Sequence, residues 1–94
     1  MIYGNEFYCC FCGKKGIPIV RKSSHSRPSG HLKKLFCLNC NKECNFCEIQ
    51  PFAQNYTYED FLLEFNYGNF NEEGTRIMPF GPFKDKLVKE GKIN

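Results

Sequence analysis

The sequence predicts a small α+β domain in which a β-hairpin flanked by two cysteine knuckles is followed by a two-helix C-terminal tail. Two C-x-x-C pairs stand at the ends of a segment of 24 residues. That segment holds two short apolar-biased runs separated by polar turn formers, as in a hairpin. The C-terminal half carries apolar residues at helical spacing. A chain of 94 residues suits one compact domain, so we expect residues 51–94 to pack on residues 1–50.

The two cysteine pairs predict a metal site. Two thiolates separated by two residues can bind one ion because the turn between them directs backbone N–H groups at sulfur. Gly13 and Asn41, which follow the pairs, tolerate the left-handed backbone of such a turn. We therefore expect one Zn²⁺ held by Cys9, Cys12, Cys37 and Cys40. Four thiolates leave no coordination position for a substrate or water, which indicates a structural role.

A third pair, Cys44-x-x-Cys47, leaves alternatives open. On a strand, both cysteines would pack as small apolar side chains. On a helix, Cys40 would share one face with them. In a third alternative they belong to a second zinc site, whose four ligands would be Cys44, Cys47, His25 and His31. One zinc ion is the preferred interpretation.

Cysteine usage also bears on the compartment. The seven cysteines are an odd number, they are grouped in C-x-x-C pairs, and no hydrophobic signal segment precedes them. This pattern favours metal binding in a reducing cytoplasm over a disulfide framework. No apolar run approaches the roughly 20 residues that span a bilayer. We expect a cytoplasmic protein without a membrane partner.

Residues 17–20 and 32–36 are the apolar-biased runs, and the turn-forming residues 23–30 lie between them. The order knuckle, strand, loop, strand, knuckle resembles the zinc-ribbon superfamily over about residues 8–49. The resemblance implies zinc binding but no single function, since zinc ribbons occur in transcription factors, ribosomal proteins, enzymes and adaptors. More loosely, the chain is similar to small zinc-ribbon proteins of phages and mobile elements in A/T-rich Gram-positive bacteria. That similarity implies a regulator or an inhibitor of a host machine.

The C-terminal part predicts two helices. Thr57 is a good N-cap, acids occupy the first turn after it, and Gly68 supplies a C-terminal stop. A shorter helix is expected to start at Gly81-Pro82 and to end before Gly91. Between the helices, residues 71–74 form a turn that could close a small hairpin.

The charge is unevenly distributed. Residues 1–47 hold eight Lys or Arg against two acids, whereas residues 48–94 hold five against eight. The segment between the knuckles has seven basic residues and no acid, so it can neutralise phosphates and release counterions. The predicted nucleic-acid contacts are Arg21, Lys22, Arg27, Lys33 and Lys34. Alternatively, the segment is a solvated surface, with Lys14 and Lys15 offsetting the charge of the metal–thiolate centre.

No motif predicts an enzyme. The chain has no Gly-rich phosphate loop, no Ser-His-Asp arrangement and no βαβ unit that would make a C-x-x-C pair a redox site. We expect a non-enzymatic protein that has no small-molecule substrate and that contacts nucleic acid or a nucleic-acid-handling complex. The alternative is a protein-binding inhibitor or adaptor acting on a host protein through the acidic aromatic tail, with Tyr67 and Phe70 as exposed contacts.

Overall fold

The computed structural model describes residues 4–17, 19–20 and 27–94. Its elements, in chain order, are the strands β1 (Gly4–Cys9), β2 (Ile19–Val20), β3 (Leu32–Cys37) and β4 (Lys42–Ile49) and the helices α1 (Tyr58–Asn66) and α2 (Phe80–Lys89). The predicted α+β class with two C-terminal helices is confirmed. None of the helices in the described ranges is long and apolar enough to cross a membrane.

The strands pair across the knuckles. The sheet order is β2-β1-β4-β3, and each described pair is antiparallel. β1 and β2 flank the first knuckle, and β3 and β4 flank the second, where Cys37 pairs with Lys42. The two runs expected to be the arms of one hairpin therefore lie at opposite edges of the sheet. Pairing across a knuckle closes a much shorter loop than pairing across the polar segment would. Closing a shorter loop loses less conformational entropy.

Side-chain alternation gives the sheet two buried faces. One face, here called the metal face, carries a cluster formed by Phe7, Cys9, Cys37, Cys44 and Phe46. The opposite face, the helix face, carries a cluster formed by Tyr8, Cys10, Cys47, Ile49, Tyr56 and Phe61. Successive residues of a strand point to opposite faces, so the central strands β1 and β4 contribute to both clusters. Burial on both sides explains why these strands are so rich in aromatic residues and cysteine.

The helices cover the helix face. Thr57 and Asp60 form a reciprocal capping box at the start of α1, and the helix is followed by Gly68 at φ +80°. The Phe61 ring lies 5.5 Å from the Tyr8 ring, which joins α1 to β1. On α2, Phe83 and Leu87 are buried. Most aromatic residues of the tail therefore complete a core that the small sheet lacks.

Helix α2 begins at Phe80, two residues before Pro82, which was expected to be the first helical residue, and Pro79 is its N-cap. Pro82 is consequently the third helical residue, where a backbone N–H still has no partner within the helix, so proline is tolerated. The helix ends before Gly91, as predicted. The predicted turn at residues 71–74 is closed by an isolated bridge between Phe70 and Arg76.

A buried ionic network joins α1 to the segment between the helices. Glu64 is fully buried and accepts hydrogen bonds from Tyr56 Oη, from Asn69 Nδ2 at 2.6 Å and from Arg76 Nε at 2.9 Å. Arg76 also approaches Cys47 Sγ at 3.8 Å, which connects the network to β4. A carboxylate removed from water is tolerated only with such a set of donors.

We expect Arg76→Met to destabilise the fold by about 3–5 kcal/mol, because it leaves the Glu64 carboxylate buried without its cation. Urea unfolding of the metal-loaded chain measures the loss. Lys92→Met is the control, since it removes an exposed pair to Glu90 and should cost less than about 1 kcal/mol. Equal, small losses in the two variants would show that the network contributes little.

Candidate metal centre

In each knuckle a backbone N–H donates to the sulfur of the first cysteine, although the donor stands at a different position in the two. In the first knuckle, the N–H of Phe11 donates to Cys9 Sγ at 3.4 Å, and the N–H of Gly13 donates to the Cys9 carbonyl at 2.8 Å. In the second, the N–H of Cys40 donates to Cys37 Sγ at 3.4 Å. Amide donors aimed at sulfur favour the thiolate that a metal requires.

The residue that closes each knuckle has a left-handed backbone, as predicted. Gly13 has φ +77° and Asn41 has φ +55°. Asn41 repeats the closing bond, since its N–H donates to the Cys37 carbonyl at 2.8 Å. A side chain at Gly13 would also approach the Phe65 ring, with a Cβ 3.0 Å from Cζ. The first knuckle therefore packs closely on α1.

The two knuckles bring four sulfur atoms together. The Sγ atoms of Cys9, Cys12, Cys37 and Cys40 all lie within 4.8 Å of one another. Cys9 Sγ is 4.0 Å from Cys40 Sγ, and Cys12 Sγ is 3.7 Å from Cys37 Sγ. A tetrahedral ion with metal–sulfur bonds of about 2.3 Å would have sulfur–sulfur edges of about 3.8 Å. The predicted cysteines therefore form a group that could hold a metal ion.

The thiols differ in how readily they ionise. Burial raises the pKa of Cys9 to about 12. Burial also opposes ionisation of Cys12, but the backbone N–H of Lys14, the Asn39 side chain and the neighbouring thiols bring the pKa of Cys12 down to about 7. Protons therefore compete with a metal ion for this site, because a bound ion requires the thiolates.

The third pair, Cys44 and Cys47, lies on strand β4, so the helical alternative with Cys40 is wrong. Their spacing of three places them on opposite faces of the sheet: Cys44 in the metal-face cluster, Cys47 in the helix-face cluster. They cannot chelate one ion, which removes the basis of the alternative second site with His25 and His31. Among the described residues the four knuckle cysteines are the only such group, and His25 lies outside that range.

Both cysteines instead behave as packing residues. Cys44 Sγ donates to the Lys42 carbonyl at 3.7 Å, and Cys47 Sγ donates to Tyr56 Oη at 3.6 Å. Burial raises the pKa of the Cys47 thiol to about 11, so it stays protonated near neutral pH. An uncharged thiol suits an apolar cluster.

The predicted nucleic-acid residues are only partly described, because Arg21 and Lys22 lie outside the described ranges. Arg27 is exposed, and its carbonyl accepts a hydrogen bond from Gln50 Nε2. Lys33 and Lys34 are adjacent on β3, so their side chains leave opposite faces of that strand. Nucleic-acid contact stays a prediction.

The two predicted protein contacts have different surroundings. Tyr67 is 43% exposed and donates a hydrogen bond to the Lys92 carbonyl at 3.4 Å. Phe70 is partly buried against the helix-face cluster, with its ring 5.9 Å from that of Phe61. Of the two, Tyr67 offers the accessible ring.

A groove of about 700 Å³, which was not predicted from the sequence, lies beside the four knuckle cysteines. Lys14, Lys15, Gly16, Ile17, Leu35, Phe36, Cys37, Leu38, Asn39 and Phe46 line it. The available signal was weak: Ile17 belongs to the run predicted as a hairpin arm, and Leu38 is a large apolar residue between the two cysteines of the second knuckle.

Comparisons of this chain with protein-family models, with curated proteins and with solved structures give no significant match. The metal site is therefore supported by its own geometry.

We expect the chain to bind one metal ion, and we expect this binding to depend on the four knuckle cysteines alone. Cys37→Ser should abolish stoichiometric binding, because three thiolates and a hydroxyl hold the ion far less tightly. The double variant Cys44→Ala/Cys47→Ala should retain one equivalent. Native mass spectrometry of the folded chain counts the ions. Loss of metal in the double variant would contradict this ligand set.

Proposed function

We propose that this chain is a non-enzymatic zinc-ribbon protein that contacts nucleic acid, or a nucleic-acid-handling complex, through the basic segment between its knuckles. One observation carries the proposal: the segment has seven basic residues and no acid. Zinc has the structural role, and the basic side chains form the contact surface. The proposed setting is a reducing compartment such as the cytoplasm, which suits cysteines that bind a metal and form no disulfide with one another.

The donor set is four sulfurs with tetrahedral spacing, which suits Zn²⁺ or iron. Zinc is the proposed metal because Zn²⁺ has no redox chemistry and no geometric preference from d electrons, which suits a purely structural role. With four thiolates the coordination is complete, which supports a structural role over catalysis at the metal.

The described lysines of the segment support a role in binding phosphates. Lys14, Lys33 and Lys34 form no ion pair with a described residue, so their charge is available to a ligand. By contrast, Lys15 is held by Glu6 at 2.6 Å, and this contact lowers the pKa of the Glu6 carboxyl. Because β3 is the last of the described strands in the sheet order, lysines on both of its faces lie beside the same edge. One phosphodiester backbone along that edge could contact both Lys33 and Lys34.

A second candidate is a protein-binding inhibitor or adaptor, for example a regulator encoded by a phage or mobile element and aimed at a host machine. The exposed ring of Tyr67 favours it, because aromatic side chains are frequent anchors of interfaces. This candidate uses the tail and needs no phosphate contact.

Removing the metal should unfold the part of the chain that the knuckles join. Structural zinc contributes roughly 10–16 kcal/mol of apparent binding free energy in small domains, as much as the whole stability of a domain. We expect a chelator to lower the melting temperature strongly and added Zn²⁺ to restore it, as followed by circular dichroism. Elemental analysis of the purified chain distinguishes zinc from iron. An unchanged melting curve after complete metal removal would overturn the structural role.

If the basic segment contacts phosphates, the triple variant Arg27→Ala/Lys33→Ala/Lys34→Ala should weaken binding to DNA and RNA of every sequence alike. Each lost contact should reduce the slope of log K against log salt by about one unit. Fluorescence anisotropy with labelled single- and double-stranded oligonucleotides measures both quantities.

The matched control is Lys84→Ala/Lys86→Ala/Lys89→Ala on α2, which removes the same net charge from the tail. Its affinity should stay close to that of the unmodified chain. Equal weakening by both variants would show a diffuse charge effect and no defined surface. Absence of binding to any oligonucleotide at low salt would leave the protein-binding candidate ahead.

A further inference from the structure

The groove beside the metal site is apolar and lies open on the surface. Its floor includes Phe46 and Leu35, and its rim includes Ile17 and Leu38, which are 71% and 77% exposed. Gly16 lets the backbone of one wall lie against the floor, since a Cβ there would be 2.7 Å from Phe46 Cε2. Its volume of about 700 Å³ is within the range of sites that bind ligands. Exposed apolar surface of this kind marks interaction sites.

The groove adjoins a sheet edge. Strand β3 ends the sheet order, and no described strand pairs with its outer side. Leu35, Phe36 and Cys37 belong both to β3 and to the groove lining. An edge strand presents outward N–H and C=O groups that can pair with another strand. An extended segment at this edge would therefore meet backbone partners and the groove together.

The charge around this edge selects the kind of strand that fits. Lys14 lies in the groove wall and Lys34 on the opposite face of β3, and neither has an ion pair with a described residue. Pairing β3 with a second copy would add two more lysines to this edge, and like charges close together are unfavourable. A strand that carries acidic side chains would instead be attracted electrostatically by the same lysines.

We infer that the groove and the edge of β3 bind an extended segment of another protein with alternating apolar and acidic residues, which adds to the sheet as a strand. Its apolar side chains occupy the groove on the metal face, and its carboxylates lie beside Lys34 on the other face. Main-chain hydrogen bonds to β3 supply affinity, and the groove supplies selectivity. This inference shares Lys34 with the proposed phosphate surface, but its central residues, Ile17 and Leu38, are uncharged, so substitutions there test it separately from phosphate binding.

The test uses a fluorescein-labelled peptide of alternating leucine and glutamate, about ten residues long, which covers a typical strand. Fluorescence anisotropy with the metal-loaded full chain should give saturable binding. Ile17→Ser and Leu38→Ser should each weaken it by about tenfold or more. The matched control is Ile77→Ser, because Ile77 is 65% exposed but lies outside the groove. It should change the affinity by less than about twofold.

Two N-methylated peptides test strand addition itself. Methyl groups on one alternate set of amides block the hydrogen bonds to β3, whereas methyl groups on the other set point away from it. The peptide methylated on the amides that face β3 should lose binding, and the peptide methylated on the other set should retain it. Equal behaviour of the two would overturn strand addition.

Three further results would overturn the inference. The first is no peptide binding at about 1 mM. The second is equal weakening by Ile17→Ser and Ile77→Ser. The third is a dimer of this chain, detected by sedimentation, that Leu38→Ser dissociates, since the groove would then serve self-association. Oligonucleotide affinity of Ile17→Ser should be unchanged, so failure of one proposal is distinguishable from failure of the other.

Discussion

The convergence of four sulfur atoms is the constraint on which the rest of this structure depends. Each knuckle fixes the start or the end of a strand: the first follows β1 and the second joins β3 to β4. An ion bound between Cys9 and Cys40 would therefore lock two separate strand pairs into one sheet. The knuckle hydrogen bonds prepare the site by directing N–H groups at Cys9 and Cys37. The metal face then needs few additional apolar contacts, which leaves room for a groove.

The opposite face is stabilised differently, by aromatic packing and by one buried ionic network. Tyr56 and Phe61 cover the sheet, and Glu64 connects α1 to Arg76. The carboxylate costs free energy to bury, and its several donors offset that cost while fixing the position of the segment between the helices. The tail is thus part of the core of this small protein, and only its outer surface is available to partners.

The four-cysteine group that could hold a metal ion was predictable from the sequence because the knuckle is a local motif, whose geometry depends on the C-x-x-C spacing and on Gly13 and Asn41. The ends of α1 could be predicted for the same reason, because the N-cap Thr57 and the following Gly68 act through their immediate neighbours in the chain. Strand pairing could not be predicted, since it depends on which segments meet after the knuckles close. The positions of Cys44 and Cys47 followed only once β4 was known to be a strand. The groove is formed by residues distant in the chain, such as Ile17 and Leu38, so their proximity could not be predicted from a local pattern.

The short range of the knuckles has a consequence for the order of folding events. Each C-x-x-C turn involves only a few neighbouring residues, so it can capture an ion as a two-thiolate half-site in the unfolded chain. Joining the half-sites then closes the long loop between Cys12 and Cys37 in one step, and the entropy of that closure grows only slowly with loop length. The pairing of β1 with β4, which joins residues about forty positions apart such as Tyr8 and Cys47, becomes a local event after the ion is bound. Metal availability would thus control the rate of folding as well as its equilibrium.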